Sequence, residues 1–241
     1  MQSPNTHTGR LGPCLITYRA TLDVPPDTLR TVTRWIAAHR RVRDIRPWQR
    51  VATARTQALL VLRWFKDSTR VHLLARDAEI SIATAYRYLH EAVDVIALRA
   101  PDLHDVLATA RQEDWPYVCL DGTLVATMQL HGPKNPSGAE SWYSGKHHRH
   151  GGNIQVLCDP TGYPVWVSPV SPGSTHDITA ARTRNKLLTG LRSVAERGNA
   201  LLKKTWPALQ MVTLDPHRLT KITAAALVLL HLQRGARRSR W

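Results

Sequence analysis

Asp121 is the residue whose position best suits chemistry. It follows Tyr117-Val118-Cys119-Leu120, an apolar run typical of a short buried strand, and Gly122 comes directly after it. A carboxylate at the end of a strand is held by a rigid scaffold but stays open to solvent, which suits a metal ligand. Aspartate is also common in turns, so position alone leaves a plain turn residue as the alternative.

A second group of reactive side chains is the run Lys146-His147-His148-Arg149-His150. Its histidines suggest a metal site, but neighbouring residues on a strand or loop point apart and cannot easily surround one ion. Basic side chains are frequent contacts of DNA phosphates. We therefore favour a basic loop that contacts DNA over a metal site. The contacts that we expect are Lys146, His147, His148 and Arg149.

The elements that would position Asp121 are β-strands. Leu124 to Leu130 predicts a further strand after it. Asn153 to Cys158 and Tyr163 to Val170 are rich in β-formers, and Asp159-Pro160-Thr161-Gly162 between them predicts a hairpin turn.

The C-terminal part predicts helices. One opens near Asp177, and amphipathic sequence continues, with a break near Pro207, to an arginine-rich tail. An aspartate at a helix start satisfies free amide donors and suits the helix dipole. We therefore favour helix capping over metal ligation as the role of Asp177.

The front part of the chain also predicts helices. Asp27 can cap a first helix, whose apolar residues recur at helical spacing from Leu29 to Ile36. A second helix follows Pro47, and the apolar residues in its body are Leu59, Leu60, Val61, Leu62 and Trp64.

Residues 71–93 carry the most specific pattern of the front part. A short helix leads to Ser81, a potential helix cap, and a longer helix follows. Its buried positions would be Ile82, Ala85, Leu89 and Val93. The opposite face would carry the DNA contacts, which we assign to Ser81, Thr84, Arg87 and Tyr88. Thr84 and Arg87 are the candidates for base contact. This is a helix-turn-helix pattern, although an ordinary helical hairpin looks nearly the same.

Composition favours a DNA-binding class. The formal net charge is +15, from 33 Lys and Arg against 18 Asp and Glu, and such a surplus attracts polyanions. Three scattered cysteines are too few for a disulfide framework or a zinc site and fit a reducing cytoplasm. The longest apolar stretch, Ala224 to Leu230, is far shorter than the ~20 residues that span a bilayer. We expect a cytoplasmic, nucleoid-associated protein without membrane contact.

Four segments carry a family resemblance. They are Leu120-Asp121-Gly122-Thr123, Tyr143-Ser144-Gly145-Lys146-His147-His148-Arg149-His150-Gly151, Gly173-Ser174-Thr175-His176-Asp177 and Glu196-Arg197-Gly198-Asn199-Ala200-Leu201-Leu202-Lys203. In this order the chain resembles DDE-superfamily transposases and, more narrowly, insertion-sequence transposases common in high-GC actinobacteria. The likeness covers about residues 40–232. The helix-turn-helix pattern looks like the one that precedes the nuclease domain in that family.

The resemblance implies metal-dependent cleavage and joining of DNA. In the family, acidic residues hold two divalent cations, Mg²⁺ or Mn²⁺, which activate an attacking oxygen and stabilise the leaving oxygen. Asp121 matches the first acid of the family, and Glu196 matches its closing glutamate. Without the resemblance, Glu196 would be taken for a surface helix residue beside Arg192 and Arg197.

The second acid is the difficulty. In a ribonuclease-H-like sheet it lies on a fourth strand beside the first, but only 19 positions separate Asp177 from Glu196 and no β-rich run lies between them. We infer an internal deletion that removed this strand. We therefore expect a damaged or inactive nuclease, unless Asp177 supplies the second ligand.

The sequence thus predicts an α+β chain. A helical helix-turn-helix module (26–112) precedes a truncated ribonuclease-H-like mixed sheet with helices (113–233), flanked by an N-terminal segment (1–25) and a basic tail (234–241). The expected function is that of a transposase acting on double-stranded DNA at element ends, impaired in catalysis. The alternative is a DNA-binding relic or regulator without catalysis. Whether the chain works alone or as a homo-oligomer on DNA is left open.

Overall fold

Helices come first in the part of the chain that the computed structural model describes, which comprises residues 21–128, 140–174 and 188–238. Before residue 113 they are α1 (Pro26–Val42), α2 (Ala54–Asp67), α3 (Val71–Asp77), α4 (Ile82–Ala97) and α5 (Leu103–Gln112), with a 3₁₀ turn at Pro47–Gln49. Helices α1 to α4 lie where the apolar spacing predicts them. Helix α5 has no predicted counterpart, because it buries only Val106 and Ala110.

Hydroxyl and carboxylate side chains set the starts of several helices. The predicted cap Ser81 accepts a hydrogen bond from the Thr84 amide, 3.2 Å away, at the start of α4. The prediction that Asp27 caps α1 is wrong, because Pro25 precedes the helix and Asp27 lies in its first turn, paired with Arg30. Pro26 occupies the first helical position, which a proline suits because its φ is fixed and its missing N–H is not needed there.

One five-stranded sheet follows the helices. Its strands are β1 (Cys119–Ala126), β2 (Tyr143–Ser144), β3 (Arg149–Cys158), β4 (Pro164–Val167) and β5 (Ser171–Pro172). The long strand β3 is central: β1 pairs antiparallel along one edge, and β2, β5 and β4 pair with successive parts of the other.

Asp121 lies within a strand, which corrects its predicted position at a strand end. The two strands predicted on either side of it are one, because Gly122 continues the ladder opposite Gln155. Asp121 itself pairs with Val156. The strand predicted for Tyr163 to Val170 is shorter than expected: only β4, Pro164–Val167, lies within it, and β5 begins after Val170.

The turn between β3 and β4 is the predicted hairpin. The Asp159 carboxylate accepts hydrogen bonds from the Thr161 amide (2.9 Å), the Thr161 hydroxyl (2.6 Å) and the Tyr163 amide (2.9 Å). Gly162 has φ +80°, a conformation that glycine adopts without steric cost. The turn residues therefore fix the hairpin locally, as the sequence indicates.

Two helices complete the described chain, α6 (Leu188–Thr205) and α7 (Leu219–Arg238). A 3₁₀ turn at Pro207–Leu209 confirms the predicted break. Helix α7 includes the first residues of the predicted basic tail, whereas the predicted helix start at Asp177 lies outside the described residues. Within the described ranges, no helix has both the length and the apolar character needed to cross a bilayer.

The front helices and the sheet share one hydrophobic core. Helix α7 packs on α4, and Arg218 just before α7 donates hydrogen bonds to the Asp94 carboxylate (2.5 Å) and the His90 carbonyl (3.2 Å) on α4. Phe65 of α2 meets Trp206 edge to face, with ring centroids 5.9 Å apart. The division of the chain into two domains at residue 113 stays a prediction, and in the described residues the two parts share a continuous core.

Helix α6 approaches the sheet closely at Gly198. An added Cβ at Gly198 would lie 2.2 Å from Cys158 Sγ and 3.1 Å from the Gly162 carbonyl oxygen. Only a residue without a Cβ fits at this separation, so Gly198 sets the distance between α6 and β3.

Replacing Gly198 by alanine tests this contact. We expect Gly198→Ala to lower the free energy of unfolding by about 1–3 kcal/mol, because the core must shift to admit the methyl group. Urea denaturation measures the change. Gly235→Ala is the matched control, since Gly235 is also helical but has no atom within 4 Å of an added Cβ. The control should leave stability unchanged or raise it by up to about 1 kcal/mol. Equal losses in both variants would contradict the contact.

Candidate active site and nucleic-acid interface

Asp121 faces helix α6. The Asn199 side-chain amide donates a hydrogen bond to Asp121 Oδ2, 2.8 Å away. Asp121 is half-buried and Asn199 is 8% exposed, so this contact lies at the edge of the interior. Helix α6 therefore fixes the Asp121 carboxylate on one face of the sheet.

Lys203 ties the same helix to the same strand. Its Nζ donates hydrogen bonds to Thr123 Oγ1 and to the Leu124 carbonyl oxygen, each 2.7 Å away. Thr123 shares a face of β1 with Asp121, because alternate residues of a strand point the same way. Burial lowers the pKa of Lys203. The ammonium group is thus engaged by the strand rather than extended into solvent.

Glu196 lies one turn before Asn199 on α6 and is exposed. Residues three apart in a helix share a face. Because Asn199 contacts Asp121, the turn that carries Glu196 lies on the same side of the sheet as Asp121. The structure thus brings two of the three predicted acids to one side of the molecule, while Asp177 lies outside the described residues.

The described residues do not contain the three converging carboxylates of a complete metal site. No cluster of three or more His, Cys, Asp or Glu side chains that could hold a metal ion occurs among them. Asn199 turns its nitrogen to Asp121, and its Oδ1 is buried without a hydrogen-bond partner within the described part of the chain. The carboxylates of Asp121 and Glu196 are oxygen donors that suit a divalent cation, although they are few.

The outer edge of β1 is sparsely paired. Beyond the strand, Thr127 forms a parallel bridge with Val212, whose amide donates to the Ala126 carbonyl at 2.9 Å. Apart from β3, no strand in the described ranges pairs with β1 itself. A fourth strand at this edge, which the resemblance requires, is thus not found among these residues, and the deletion stays a prediction.

Helices α3 and α4 are joined by four residues, Ala78 to Ser81. Ser81 and Arg87 are exposed on α4, as predicted. The predicted orientation of three other residues is wrong: Thr84 and Tyr88 are only 8% and 3% exposed, and Ile82 is 52% exposed. Whether these residues contact DNA stays a prediction, but Thr84 and Tyr88 offer little surface for it.

A buried polar network explains the orientation of Tyr88. Its ring lies beneath the guanidinium groups of Arg40 and Arg50, at 5.6 and 5.5 Å. Arg40 donates to Gln57 Oε1 (2.7 Å), and Gln57 donates to Glu91 Oε2 (2.9 Å). These partners come from α1, α2 and α4, so Tyr88 joins three helices.

Lys146, His147 and His148 lie in an exposed turn between β2 and β3, and Arg149, also exposed, begins β3; a phosphate-contacting loop requires such exposure. His150 is half-buried, with Nε2 3.5 Å from Glu140 Oε2. The turn lies at the Ala126 end of the β1–β3 pair. Since a strand rises about 3.3 Å per residue, it is about 17 Å or more along the strand from Asp121.

Asn199 and Lys203 are site residues that sequence reasoning names only as members of a motif. The signal that could have found them is their spacing, because positions three and seven after Glu196 fall on one face of α6. A polar stripe on a helix that must pack against a sheet indicates a site rather than a solvated surface.

Comparison with protein families gave one match in this region. A family model described as DDE superfamily endonuclease matches residues 120–183. The match begins one residue before Asp121, includes all of the sheet after Cys119, and ends before α6. A domain of this kind points to a transposase-like nuclease with DNA as its substrate, and such endonucleases generally use divalent metals. Comparisons with curated proteins and with solved structures gave no match.

Two buried thiols, Cys119 and Cys158, lie beneath α6, and they should make the stability of the protein depend on pH. Burial raises the pKa of Cys158 to about 12, and Cys119, Asp159 and Asp121 add to the effect. Above about pH 8.5 the unfolded thiol ionises while the folded one keeps its proton. The unfolded state then binds fewer protons, so stability falls as pH rises toward 12.

We expect the wild type to lose about 1 kcal/mol more stability than Cys158→Ala between about pH 7.5 and pH 9.5. Urea unfolding of both proteins under reducing conditions measures the difference. The lowered pKa of Lys203 acts in the opposite direction, but it is common to both proteins and cancels. An identical pH dependence of the two proteins would show that the Cys158 thiol ionises equally in both states.

Proposed function

We propose that this chain is a DDE-type transposase, built for divalent-metal-dependent cleavage and strand transfer at the ends of an insertion sequence, and that its catalysis is impaired. The observation that carries the proposal is the Asn199–Asp121 hydrogen bond, which joins the strand matched by the endonuclease family to the helix that carries Glu196. This contact supports Asp121 and Glu196 as ligands of one cation site.

Each residue of this site has a distinct part. Asp121 and Glu196 would hold the cation, with Asn199 orienting the Asp121 carboxylate and Lys203 fixing α6 on β1. A bound divalent cation supplies Lewis acidity to an attacking oxygen and to the leaving oxygen of a phosphodiester. Asp121 is half-buried, so it lies at the edge of the interior rather than deep inside it.

Impairment follows from the number of carboxylates. Mg²⁺ is usually held by one or two carboxylates together with substrate phosphates, whereas a two-cation site needs acids on several elements. Among the described residues, the two candidate ligands are Asp121 and Glu196. Asp177 is the remaining candidate for a third carboxylate ligand. If Asp177 only caps its helix, the site lacks the ligand that a lost fourth strand would have carried.

The front helices would bind the DNA. Of the four contacts expected at α4, Ser81 and Arg87 are exposed and would face the DNA, whereas Thr84 and Tyr88 are buried and would have structural roles. Arg87 also lines a groove of about 680 Å³ between α1, α4 and α7, whose other charged residues include the cations Arg43 and Lys221 and the acids Glu91 and Asp94. Cations beside the exposed face of α4 suit a helix that presents that face to a major groove, with phosphates on either side.

A second candidate function is DNA binding without catalysis, as a relic or regulator. The observation that favours it is the missing third carboxylate among the described residues, set against a net charge of +15. Binding requires only the basic surfaces, so it survives the loss of the cation site.

Metal-dependent nicking separates these functions. We expect the purified chain to nick supercoiled DNA weakly with Mn²⁺ or Mg²⁺, and Asp121→Ala to abolish that activity while leaving the gel-shift affinity for element ends unchanged. Asp105→Ala, which removes an exposed aspartate on α5, is the matched control and should nick like the wild type. Nicking that persists in Asp121→Ala would disprove the proposed site, and no nicking by the wild type would favour the non-catalytic alternative.

Substitution of Arg87 tests whether α4 recognises the DNA sequence. If Arg87 contacts a base, Arg87→Ala should cost about 1–3 kcal/mol of binding to the preferred site and relax sequence preference. Fluorescence anisotropy with specific and scrambled duplexes measures both. Arg111→Ala removes an equal charge from the exposed face of α5 and should change neither. A uniform loss across all sequences in Arg87→Ala would instead make Arg87 a phosphate contact.

A further inference from the structure

The loop between α1 and α2 exposes a tryptophan. Trp48 lies in the 3₁₀ turn Pro47–Gln49, and its relative exposure is 80%. Val42 and Val51, on either side of it in the chain, are exposed as well. A tryptophan is highly buried on average, because its large apolar ring gains free energy on leaving water. A ring that stays outside therefore points to a partner that covers it.

Hydrogen bonds hold this turn in one conformation. The Arg46 amide donates to Gln49 Oε1 (2.7 Å), and the Gln49 amide donates to the Arg46 carbonyl (3.0 Å). Arg50, the next residue, donates to Glu91 Oε1 of α4 at 2.8 Å and so ties the loop to the front helices. The turn thus presents the tryptophan ring on a preformed surface.

The surface around the turn is strongly basic. Residues 27–55 contain eight arginines but only two acids, Asp27 and Asp44. Each acid pairs with one exposed arginine, Asp27 with Arg30 and Asp44 with Arg46. Exposed ion pairs are weak, so they yield readily to a stronger anion. The other exposed arginines of this segment are Arg34, Arg41, Arg43 and Arg55.

A groove lined by arginines lies at this turn. Its volume is about 640 Å³, and Pro47 and Val51, which flank Trp48 in the chain, are part of its wall. No acidic side chain of the described residues lines it, whereas five arginines do: Arg34, Arg40, Arg41, Arg46 and Arg50. Arg50 also lines the groove that contains Arg87, so the two basic surfaces adjoin.

Single-stranded DNA fits both features of this surface. Its backbone is a line of negative charges that a basic groove can follow, and its unpaired bases stack on aromatic side chains. In an intact duplex the bases are covered by their neighbours in the stack, so an indole ring finds no free base to cover it.

We propose that the groove between α1 and the start of α2 binds a single-stranded segment of DNA, with phosphates along the arginines and one base stacked on Trp48. This site goes beyond the proposed function, because neither a cation at Asp121 nor recognition of a duplex by α4 requires it.

Binding of a dT oligonucleotide to the full chain tests the proposal. Fluorescence anisotropy of a labelled strand of about 12 nucleotides, a length within the usual site sizes, measures the affinity. We expect Trp48→Leu to weaken binding by about fivefold or more, as the loss of one stacked base does. Trp48→Phe should keep most of the affinity, because a phenyl ring still stacks. Circular dichroism confirms that each variant is folded.

Trp115→Leu is the matched control. The Trp115 indole N–H donates to Glu113 Oε2 (2.9 Å), and Asp105 lines the same groove, so this surface does not suit a polyanion. The same change here should leave the affinity for dT unchanged. Binding of dT should quench the tryptophan fluorescence of the wild type and of Trp115→Leu, but much less that of Trp48→Leu. Equal quenching in all three proteins would show that no base stacks on Trp48.

Arg41→Ala tests the groove. It should weaken binding of dT and lower the slope of log affinity against log salt concentration by about 0.7, the value for one lost phosphate contact on a single strand. Arg111→Ala removes an equal charge from the exposed face of α5 and should keep the wild-type slope. The wild-type slope in Arg41→Ala would show that the phosphates lie elsewhere and would overturn the proposal.

Three further outcomes would also overturn it. The first is wild-type affinity for dT in Trp48→Leu, or no binding of dT by the wild type. The second is an equal loss of affinity for a duplex of the same length, because Trp48 would then contact paired DNA. The third is a dimer, seen by analytical ultracentrifugation, that Trp48→Leu dissociates without changing the affinity for dT. Nicking that depends on Asp121 is measured separately, so the proposed function can stand or fail independently.

Discussion

The close approach of α6 to the sheet is the constraint on which the candidate site depends. Gly198 allows the helix to lie against Cys158 and the hairpin turn, because any Cβ there would overlap the Cys158 sulfur. At this distance Asn199 reaches Asp121. A side chain of fixed length cannot span a wider gap, so the packing at Gly198 and the hydrogen bond to Asp121 stand or fall together. The position of Glu196 follows, since it lies on the same helix face one turn earlier.

The shared core holds the front helices, including α4, in a fixed orientation relative to the sheet that carries Asp121. Helix α7 packs on α4, and Asp94 of α4 accepts from Arg218 and lies 2.9 Å from Lys221 Nζ. Two parts joined by a flexible linker would orient independently, whereas packed elements keep one arrangement. A DNA-reading α4 would therefore hold its duplex in a defined orientation relative to Asp121, without a conformational step to align them.

Local signals allowed much of the fold to be predicted from the sequence. The Asp159 to Gly162 turn and the Ser81 cap were predictable because their hydrogen bonds join residues at most four positions apart. Asp121-Gly122 was misleading, because a pair that favours turns continues a strand here once Gln155 pairs with Gly122. Only the pairing partner, more than thirty residues away, decides between the two.

The candidate site and α4 show the same limit at the level of side chains. Helical spacing cannot tell that Tyr88 points inward, because the residues that enclose it, Arg40 and Arg50, come from the α1–α2 region. The Asn199 contact to Asp121 joins positions 78 apart in the chain. Polar residues at helical spacing are usually solvated, and nothing local marks those that are buried by a distant partner.

The chemistry of the two activities explains why one would outlast the other. DNA binding sums many phosphate contacts, each modest and largely independent, so the loss of one basic residue weakens it only in part. Cleavage needs several oxygens to converge on one small cation, and the loss of a single ligand lowers affinity and misplaces the rest. On the proposed function, the net charge of +15 meets the requirement of DNA binding, whereas the two acids beside the sheet, among the described residues, meet that of cleavage only in part.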